Sequence, residues 1–186
     1  MFRDLIQSTR SYRRFRQEQK IAMEDLLDLV DTGRYAPSGG NLQPLRFRIV
    51  CDEAKCQTVF ETLKWAAYFT DWEGPEEGQR PVAYILICGE EGKSTGNEEG
   101  LRQQAMVLAA MEKGIGSCIL ANVDRKMLKA KLEIPDPYEI RQVIALGYPA
   151  EEIVTEDIAA GDSIRYYRDA EGIHHVPKIR LEDQLI

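Results

Sequence analysis

The residues best suited to chemistry lie in one short segment, positions 34–47, which runs RYAPSGGNLQPLRF. Gly39 and Gly40 leave backbone N–H groups open to close approach, because glycine has no side chain to block them. Asn41 and Gln43 add side-chain amides, which offer both donors and acceptors. Such a loop can bind the polar edge of a flat ligand. A plain helix–loop–strand connection, with glycines required only by turn geometry, would have the same composition.

Basic residues near both ends of the chain could bind an anion such as phosphate. Near the start, a hydroxyl is surrounded by three guanidinium groups, in Arg10, Ser11, Arg13 and Arg14. A guanidinium donates hydrogen bonds in a rigid fork that matches phosphate oxygens. Near the end, Lys178 and Arg180 stand two positions apart, so an extended segment would place both side chains on one side. Taken singly, a solvated basic turn and a charged tail would explain these segments equally well.

A third candidate is a group of aromatic residues beside an acidic stretch: Trp65, Tyr68, Phe69 and Trp72. Aromatic rings can stack on a planar ligand, and these four are the candidate substrate-binding residues. The alternative is that most of the rings pack into the core or against a second subunit.

Composition restricts the class of protein that could use these groups. The chain has 186 residues and a net charge of −7, which predicts a single domain over 1–186 and argues against nucleic acid as a partner. Its longest apolar run is too short to cross a membrane. The N-terminus carries charge where a signal peptide would be apolar, and the four cysteines have no zinc-ligand spacing. We therefore expect a cytoplasmic protein with reduced thiols and no metal.

Apolar spacing predicts alternating helices and strands. The predicted helices begin near Met23, cover 56–67 and 101–111, and begin again after Asp124; the predicted strands cover 45–51, 82–89, 117–121 and 141–147, the last clear one. The helix over 101–111 is apolar nearly all round at its centre, so part of its burial could come from a second subunit. Gly114 should end it.

Together these segments resemble the nitroreductase family of flavin enzymes over nearly the whole chain. The family motif Arg-Ser-x-Arg-x-Phe corresponds to positions 10–15, and Ala-Pro-Ser-x-x-Asn-x-Gln-Pro to 36–44. Glu-Lys-Gly-x-Gly-Ser corresponds to 112–117 and Ala-Leu-Gly-Tyr-Pro to 145–149. Each motif is moderately specific, and their order and spacing make the resemblance strong.

The resemblance implies an α+β fold, a mixed central sheet flanked by helices, in an intertwined homodimer with FMN bound between the subunits. From one subunit, the phosphate and the polar edge of the ring would contact Arg10, Ser11, Arg13, Lys178 and Arg180. From the other, the flavin would be lined by Pro37, Ser38, Gly39, Asn41 and Gln43. The ring would lie against Ile119, Leu120, Ala121 and Asn122. Well-known members have a proline and an acidic-Gly pair in that last stretch, so here backbone contacts are expected rather than side-chain contacts.

The resemblance also implies the chemistry: NADH or NADPH passes a hydride to FMN, and a small electron acceptor, a quinone or nitroaromatic, then takes its place. Arg13 would stabilise negative charge near N1 and O2 of the reduced ring. No residue is an obvious nucleophile or general base, so the catalytic residues stay unknown. Reductive dehalogenation, oxygen-dependent fragmentation of the flavin, and flavin binding without turnover remain as alternatives.

Overall fold

The computed structural model describes all residues, 1–186, and its centre is a four-stranded sheet. The strands are β1 (Arg46–Val50), β2 (Ala83–Glu90), β3 (Gly116–Leu120) and β4 (Tyr138–Gly147), in the order β1-β2-β4-β3. The predicted strand over 82–89 is confirmed, and its continuous apolar sequence is explained by burial on both faces.

The chain has five helices, α1 (Phe2–Ser8), α2 (Met23–Arg34), α3 (Glu53–Phe60), α4 (Glu98–Glu112) and α5 (Arg125–Lys131). Of these, α2 to α5 cover the two faces of this sheet, and α1 packs against α4. Side chains alternate along β2, so that Tyr84 and Leu86 join one core with residues of α3 and α5, while Ile85 and Ile87 join another with residues of α2 and α4. No helix has the length and apolar character that a membrane crossing requires.

A second, three-stranded sheet follows the central one. Strands β5 (Ile153–Ile158) and β7 (His174–Ile179) pair in parallel, and β6 (Tyr167–Arg168) pairs antiparallel with β7. The prediction that the last clear strand lies at 141–147 was therefore wrong. Charged and polar residues such as Glu156, Asp157 and Lys178 break the apolar alternation from which strands are recognised.

The resemblance implied a mixed central sheet, but the strands of this sheet pair almost without parallel contacts. All four of its strands pair antiparallel, and the parallel contact there is an isolated bridge between Ser11 and Ser117 at the edge of β3. The α+β class itself is confirmed.

The predicted helix over 56–67 was too long. It ends at Phe60 because Leu63 forms an isolated bridge with Val123 and Ala66 has a φ of 41°. The end of α4 follows the prediction, since Gly114 has a φ of 74°, in the left-handed region that glycine adopts easily.

The contact between Gly147 and Phe15 provides a stability test. A Cβ on Gly147 would lie 2.8 Å from Phe15, whose side chain is fully buried. We expect Gly147→Ala to lower the free energy of unfolding by about 1–3 kcal/mol through overpacking. The matched control is Gly100→Ala in α4, where an added Cβ would have no atom outside the local helix backbone within 4 Å. That change should raise the unfolding free energy by up to about 1 kcal/mol through helix propensity. Urea denaturation measures both, and equal stability of the two variants would contradict the packing argument.

Candidate functional site

The N-terminal segment, β3, α4 and β7 enclose a cavity of about 300 Å³, called the basic cavity below. Its lining comprises Thr9, Arg10, Ser11, Arg13, Gln104, Val107, Ser117, Ile119, Tyr166, Val176 and Lys178. Five of the residues predicted to contact a cofactor are thus brought together from three distant parts of the chain: Arg10, Ser11, Arg13, Ile119 and Lys178.

Backbone pairing places the N-terminal segment beside β3. Tyr12 N donates to the carbonyl oxygen of Ser117 at 2.9 Å, next to the bridge between Ser11 and Ser117. The absence of a side chain at Gly116 allows this approach, because a Cβ there would lie 2.9 Å from the Tyr12 ring. The arginines on either side of Ser11 are therefore positioned by the edge of the sheet.

The cations of the basic cavity have no counter-charge. None of the ion pairs in the structure includes Arg10, Arg13 or Lys178. The Nε atoms of Arg10 and Arg13 are buried without a partner. Burial, and then the nearby Arg10 guanidinium, lower the pKa of Lys178. Donors in this state fit an anionic group such as a phosphate, which would supply both acceptors and charge.

Arg180 has a different environment from Lys178. Its guanidinium pairs with Glu182 and Asp183, each at 3.4 Å, and it does not line the basic cavity. The change of direction after Ile179, where β7 ends, separates two side chains that a longer strand would have placed together.

The residues of the predicted 119–122 set also differ in their environments. Leu120 is buried in the core, while Ala121 and Asn122 are exposed. The Asn122 carbonyl oxygen accepts a hydrogen bond from Lys64 N at 3.0 Å. Within one chain, Ile119 is thus the residue of the predicted 119–122 set that lines the basic cavity.

The segment Pro37–Pro44, called the amide loop below, is held in an unusual conformation. Asn41 and Gln43 have φ values of 56° and 47°, which are costly for residues with side chains. The loop is fixed by Gln43 N, which donates to Ser38 Oγ, and by Gly39 N, which donates to Glu98 Oε1, both at 2.9 Å. Strain that the surrounding structure maintains in this way is typical of binding loops.

The amide loop lies apart from the basic cavity within one chain. It contributes to a separate cavity of about 450 Å³, which it shares with residues 94–98 and Leu101 of α4. The side chain of Leu42 in the loop is 80% exposed. Residues predicted to contact the cofactor from two different subunits thus line two separate cavities of one chain.

Glu151 is a residue of this region that the sequence did not single out. Its side chain is 1% exposed, and its carboxylate accepts hydrogen bonds from Arg13 N, from Arg14 N at 3.0 Å and from Arg168 Nη2 at 2.9 Å. The carboxylate thus anchors the backbone of the N-terminal segment. A signal was available in the sequence, because Glu151 comes two residues after the end of the motif at 145–149.

His174 lies beside Glu151 but does not form an ion pair with it. Its Nδ1 is 3.9 Å from a Glu151 carboxylate oxygen, and both ring nitrogens are buried without a partner. Burial lowers the pKa of His174 to about 4, with a further contribution from Arg13. The ring is therefore neutral near pH 7 and packs against Phe69 and Tyr166 at centroid distances of 5.6 and 5.4 Å.

Three of the predicted aromatic residues, Tyr68, Phe69 and Trp72, line an open groove of about 530 Å³, called the aromatic groove below. Tyr166 lines both this groove and the basic cavity. The Arg13 guanidinium lies 4.8 Å from the Tyr166 ring centroid. Trp65 is instead 7% exposed and packs in the core beside Phe60, with a centroid distance of 5.9 Å. The packing alternative thus describes Trp65 fully, and Phe69 and Trp72 are also half-buried against the same core although they line the groove. Tyr68 is the exposed ring of the four.

Comparison with known proteins identifies the class of protein that this fold and site define. The model of the nitroreductase family matches residues 6–77, and a model described as a TM nitroreductase matches residues 75–179. An iodotyrosine deiodinase from Thermotoga neapolitana is 30% identical over 169 residues, which are 80% of this chain and 89% of the relative. YfhC of Bacillus subtilis, which is named as an NAD(P)H nitroreductase, is 26% identical over 168 residues, 81% of this chain and 86% of the relative.

A solved structure shares the fold. The nitroreductase with bound FMN from Bacteroides fragilis superposes with a TM-score of 0.66 at 19% identity, covering 87% of this chain and 96% of that chain. The chain belongs to the nitroreductase family, as its motifs predicted.

The role of Glu151 can be tested by substitution. Glu151→Leu leaves two backbone N–H groups without an acceptor and Arg168 without its counter-charge. We therefore expect the free energy of unfolding to fall by about 3–5 kcal/mol. Glu151→Gln should cost less, because an amide oxygen still accepts from the backbone. Denaturant unfolding measures the total effect, and amide hydrogen exchange at Arg13 and Arg14 shows whether it is local.

The matched control for this substitution is Glu152→Gln, because the Glu152 side chain makes no hydrogen bond or ion pair. If Glu152→Gln weakens the protection of the Arg13 amide as much as Glu151→Leu does, Glu151 does not anchor the backbone of the N-terminal segment.

Proposed function

We propose that this nitroreductase-family oxidoreductase uses FMN with NADH or NADPH to reduce a small planar acceptor, a nitroaromatic or a quinone. The observation that carries the proposal is the basic cavity, where three cations without counter-charge line a pocket that adjoins an aromatic groove. When bound, FMN supplies the transfer of reducing equivalents between the nicotinamide and the acceptor.

The residues of the basic cavity would hold the cofactor by charge and hydrogen bonding. Arg10, Ser11 and Lys178 offer two cations and a hydroxyl to the phosphate. Arg13 is the candidate for stabilising negative charge on the polar edge of the ring. Its backbone N–H is held by Glu151 and its guanidinium is packed over Tyr166, so this cation is oriented before any charge develops.

The aromatic groove supports a planar acceptor. Tyr68, Phe69 and Trp72 present ring surfaces next to Tyr166, which separates the groove from the basic cavity. Nicotinamide and acceptor are both planar, and binding in turn at one surface is the simplest route to a two-step ping-pong reaction.

The proposal extends to a homodimer in which the amide loop of one subunit completes the basic cavity of the other. Exposed apolar side chains on α2, at its C-cap, on α4 and in the amide loop support it: Met23, Leu27, Tyr35, Leu42 and Leu101. Leu42 and Leu101 line the same cavity, so part of this surface is continuous. A partner subunit that covers it would remove apolar surface from water.

Anaerobic stopped-flow mixing of the flavin-loaded protein with NADH, and separately with NADPH, tests the reaction. We expect the flavin absorbance to bleach and to return when a quinone or nitroaromatic is added. Trp72→Ala should lower kcat/KM for the acceptor by about tenfold, the loss expected for one stacking contact in a desolvated site, while flavin content stays unchanged. A bound flavin that neither nicotinamide bleaches would contradict the oxidoreductase proposal. Unchanged acceptor kinetics in Trp72→Ala would assign Trp72 to packing alone.

Reductive dehalogenation is the second candidate, because one relative, at 30% identity, is named an iodotyrosine deiodinase. Halide release from a halogenated phenol under anaerobic conditions, with the reduced enzyme, distinguishes this reaction from acceptor reduction. Product analysis under air detects oxygen-dependent fragmentation of the flavin. NADH consumption that is the same with and without any acceptor would indicate a flavin-binding protein without this turnover.

Mixed dimers test the proposed sharing of the site. Lys178→Ala should weaken FMN binding by about tenfold or more, because it removes a charged donor, whereas Arg180→Ala should have a smaller effect because Arg180 already pairs with two carboxylates. Asn41→Gly should also weaken binding, by removing the side-chain amide while leaving a positive φ accessible. Titration of the apoprotein with FMN, followed by fluorescence, measures each affinity.

Equal amounts of the Lys178→Ala and Asn41→Gly subunits are then dissociated and reassembled together. About half of the dimers should be heterodimers, and each heterodimer has one intact site and one site that carries both substitutions. About a quarter of all sites should therefore regain wild-type affinity. A mixture that behaves as the average of the two variants would place both residues in the site of a single subunit, or show that no dimer forms.

A further inference from the structure

A second cavity, of about 450 Å³, lies on the face of the central sheet opposite the basic cavity, and is called the α3 cavity below. Its buried lining residues include Tyr84 on β2 and Cys56 on α3, and its lining also includes Phe60 and Arg80. It shares no lining residue with the basic cavity or the aromatic groove. The proposed flavin chemistry therefore gives this cavity no role.

Tyr84, one of the lining residues of the α3 cavity, has a polar group that lacks a partner. Its side chain is fully buried, and its hydroxyl makes no hydrogen bond. A buried hydroxyl in this state destabilises the fold relative to one that has a hydrogen-bond partner. Burial raises the pKa of Tyr84 well above its ordinary value, so the phenol keeps its proton and can donate it to an acceptor.

Arg80 is the second unsatisfied donor of the α3 cavity. Its Nη1 donates to Gln57 Oε1 at 2.9 Å, and its guanidinium lies 4.5 Å from the Phe60 ring centroid. These contacts hold the side chain in place, yet its Nε is buried without a partner and no carboxylate forms an ion pair with it. A fixed, unpaired guanidinium is suited to bind a carboxylate.

Cys56 is not the functional group of this cavity. Its Sγ lies 3.5 Å from the Val82 carbonyl oxygen and 3.7 Å from that of Val50, so the thiol already has acceptors. Burial raises the pKa of Cys56 to about 12, which keeps the sulfur protonated and unreactive. The buried donor atoms that lack acceptors among the lining residues therefore belong to Tyr84 and Arg80.

We propose that the α3 cavity binds a small organic monocarboxylate, whose oxygens accept hydrogen bonds from Arg80 and Tyr84 while its short apolar body packs against Phe60 and Val82. Glu53 and Glu77 are exposed at the mouth of the cavity, where Lys20 is the one lysine. Their charges disfavour a second acidic group on the ligand and so select against dicarboxylates and phosphates.

The test uses the flavin-loaded protein, so that the cations of the basic cavity are already occupied. Butyrate is the probe, butanol is its neutral analogue, and thermal unfolding and titration calorimetry are the measurements. We expect butyrate to raise Tm and to give a saturable binding heat, and butanol to do neither. Arg80→Gln and Tyr84→Phe should each weaken butyrate binding by about tenfold, the value of one hydrogen bond to a charged group.

Tyr84→Phe carries a second, opposite expectation. Because it removes a buried hydroxyl that has no partner, the variant should have a Tm equal to or above that of the wild type when no butyrate is present. Loss of ligand binding in a variant that folds at least as well as the wild type cannot be explained by damage to the fold.

Lys55→Gln is the matched control, because Lys55 is on α3 and carries one positive charge but does not line the cavity. It should bind butyrate as the wild type does. A butyrate affinity that is equal in the wild type, Arg80→Gln and Tyr84→Phe would overturn the proposal by placing the acid elsewhere, as would an absence of binding to the wild type. Either result leaves the flavin reaction intact, since that reaction is measured separately by bleaching with nicotinamide.

Discussion

The hydrogen bonds from the backbone of Arg13 and Arg14 to the buried carboxylate of Glu151 are the interaction on which the site depends. They join the N-terminal segment to the connection between β4 and β5, and the pairing of Tyr12 with Ser117 joins the same segment to β3. Glu151 also pairs with Arg168, which lines the aromatic groove. One carboxylate therefore sets the relative positions of the basic cavity and the groove. Because it is buried, loss of either side of this network would leave groups that nothing else can satisfy.

Charge is distributed unevenly around this anchor. Glu151 neutralises Arg168, whereas Arg10, Arg13 and Lys178 have no carboxylate partner although the chain as a whole carries a net charge of −7. Folding such a cluster costs electrostatic free energy, and an anionic ligand returns it on binding. The neutral His174 fits the same pattern, since a protonated ring there would add a further cation beside Arg13. The cavity is thus preorganised for an anion.

The amide loop shows a different kind of preorganisation. Its positive φ values at Asn41 and Gln43 are maintained by hydrogen bonds to Ser38 and to Glu98, and Glu98 is itself buried on α4. Beside it, apolar side chains of α2 and α4 remain exposed in the single chain. A strained polar loop next to an apolar surface is what the proposed dimer would require, because assembly would cover the surface and bring the loop to the partner's cavity. The α3 cavity, on the other face of the sheet, would stay outside this arrangement.

The sequence by itself determined the family, the α+β class and most elements of the central sheet. Its motifs are local, α2 has a strong apolar period, and β2 is recognised by its continuous apolar sequence. It also identified Arg10, Arg13 and Lys178, whose residue types suit an anion wherever they lie. Only the tertiary structure decided that these cations meet, that Arg180 turns to Glu182 and Asp183, and that Trp65 joins the core while Trp72 lines a groove. The roles of Glu151 and Tyr84 could not be inferred from residue type, since a buried carboxylate and an unpartnered hydroxyl are defined by what surrounds them. Burial and hydrogen-bond partners depend on contacts between residues that are distant in the sequence, and these contacts cannot be inferred from local spacing.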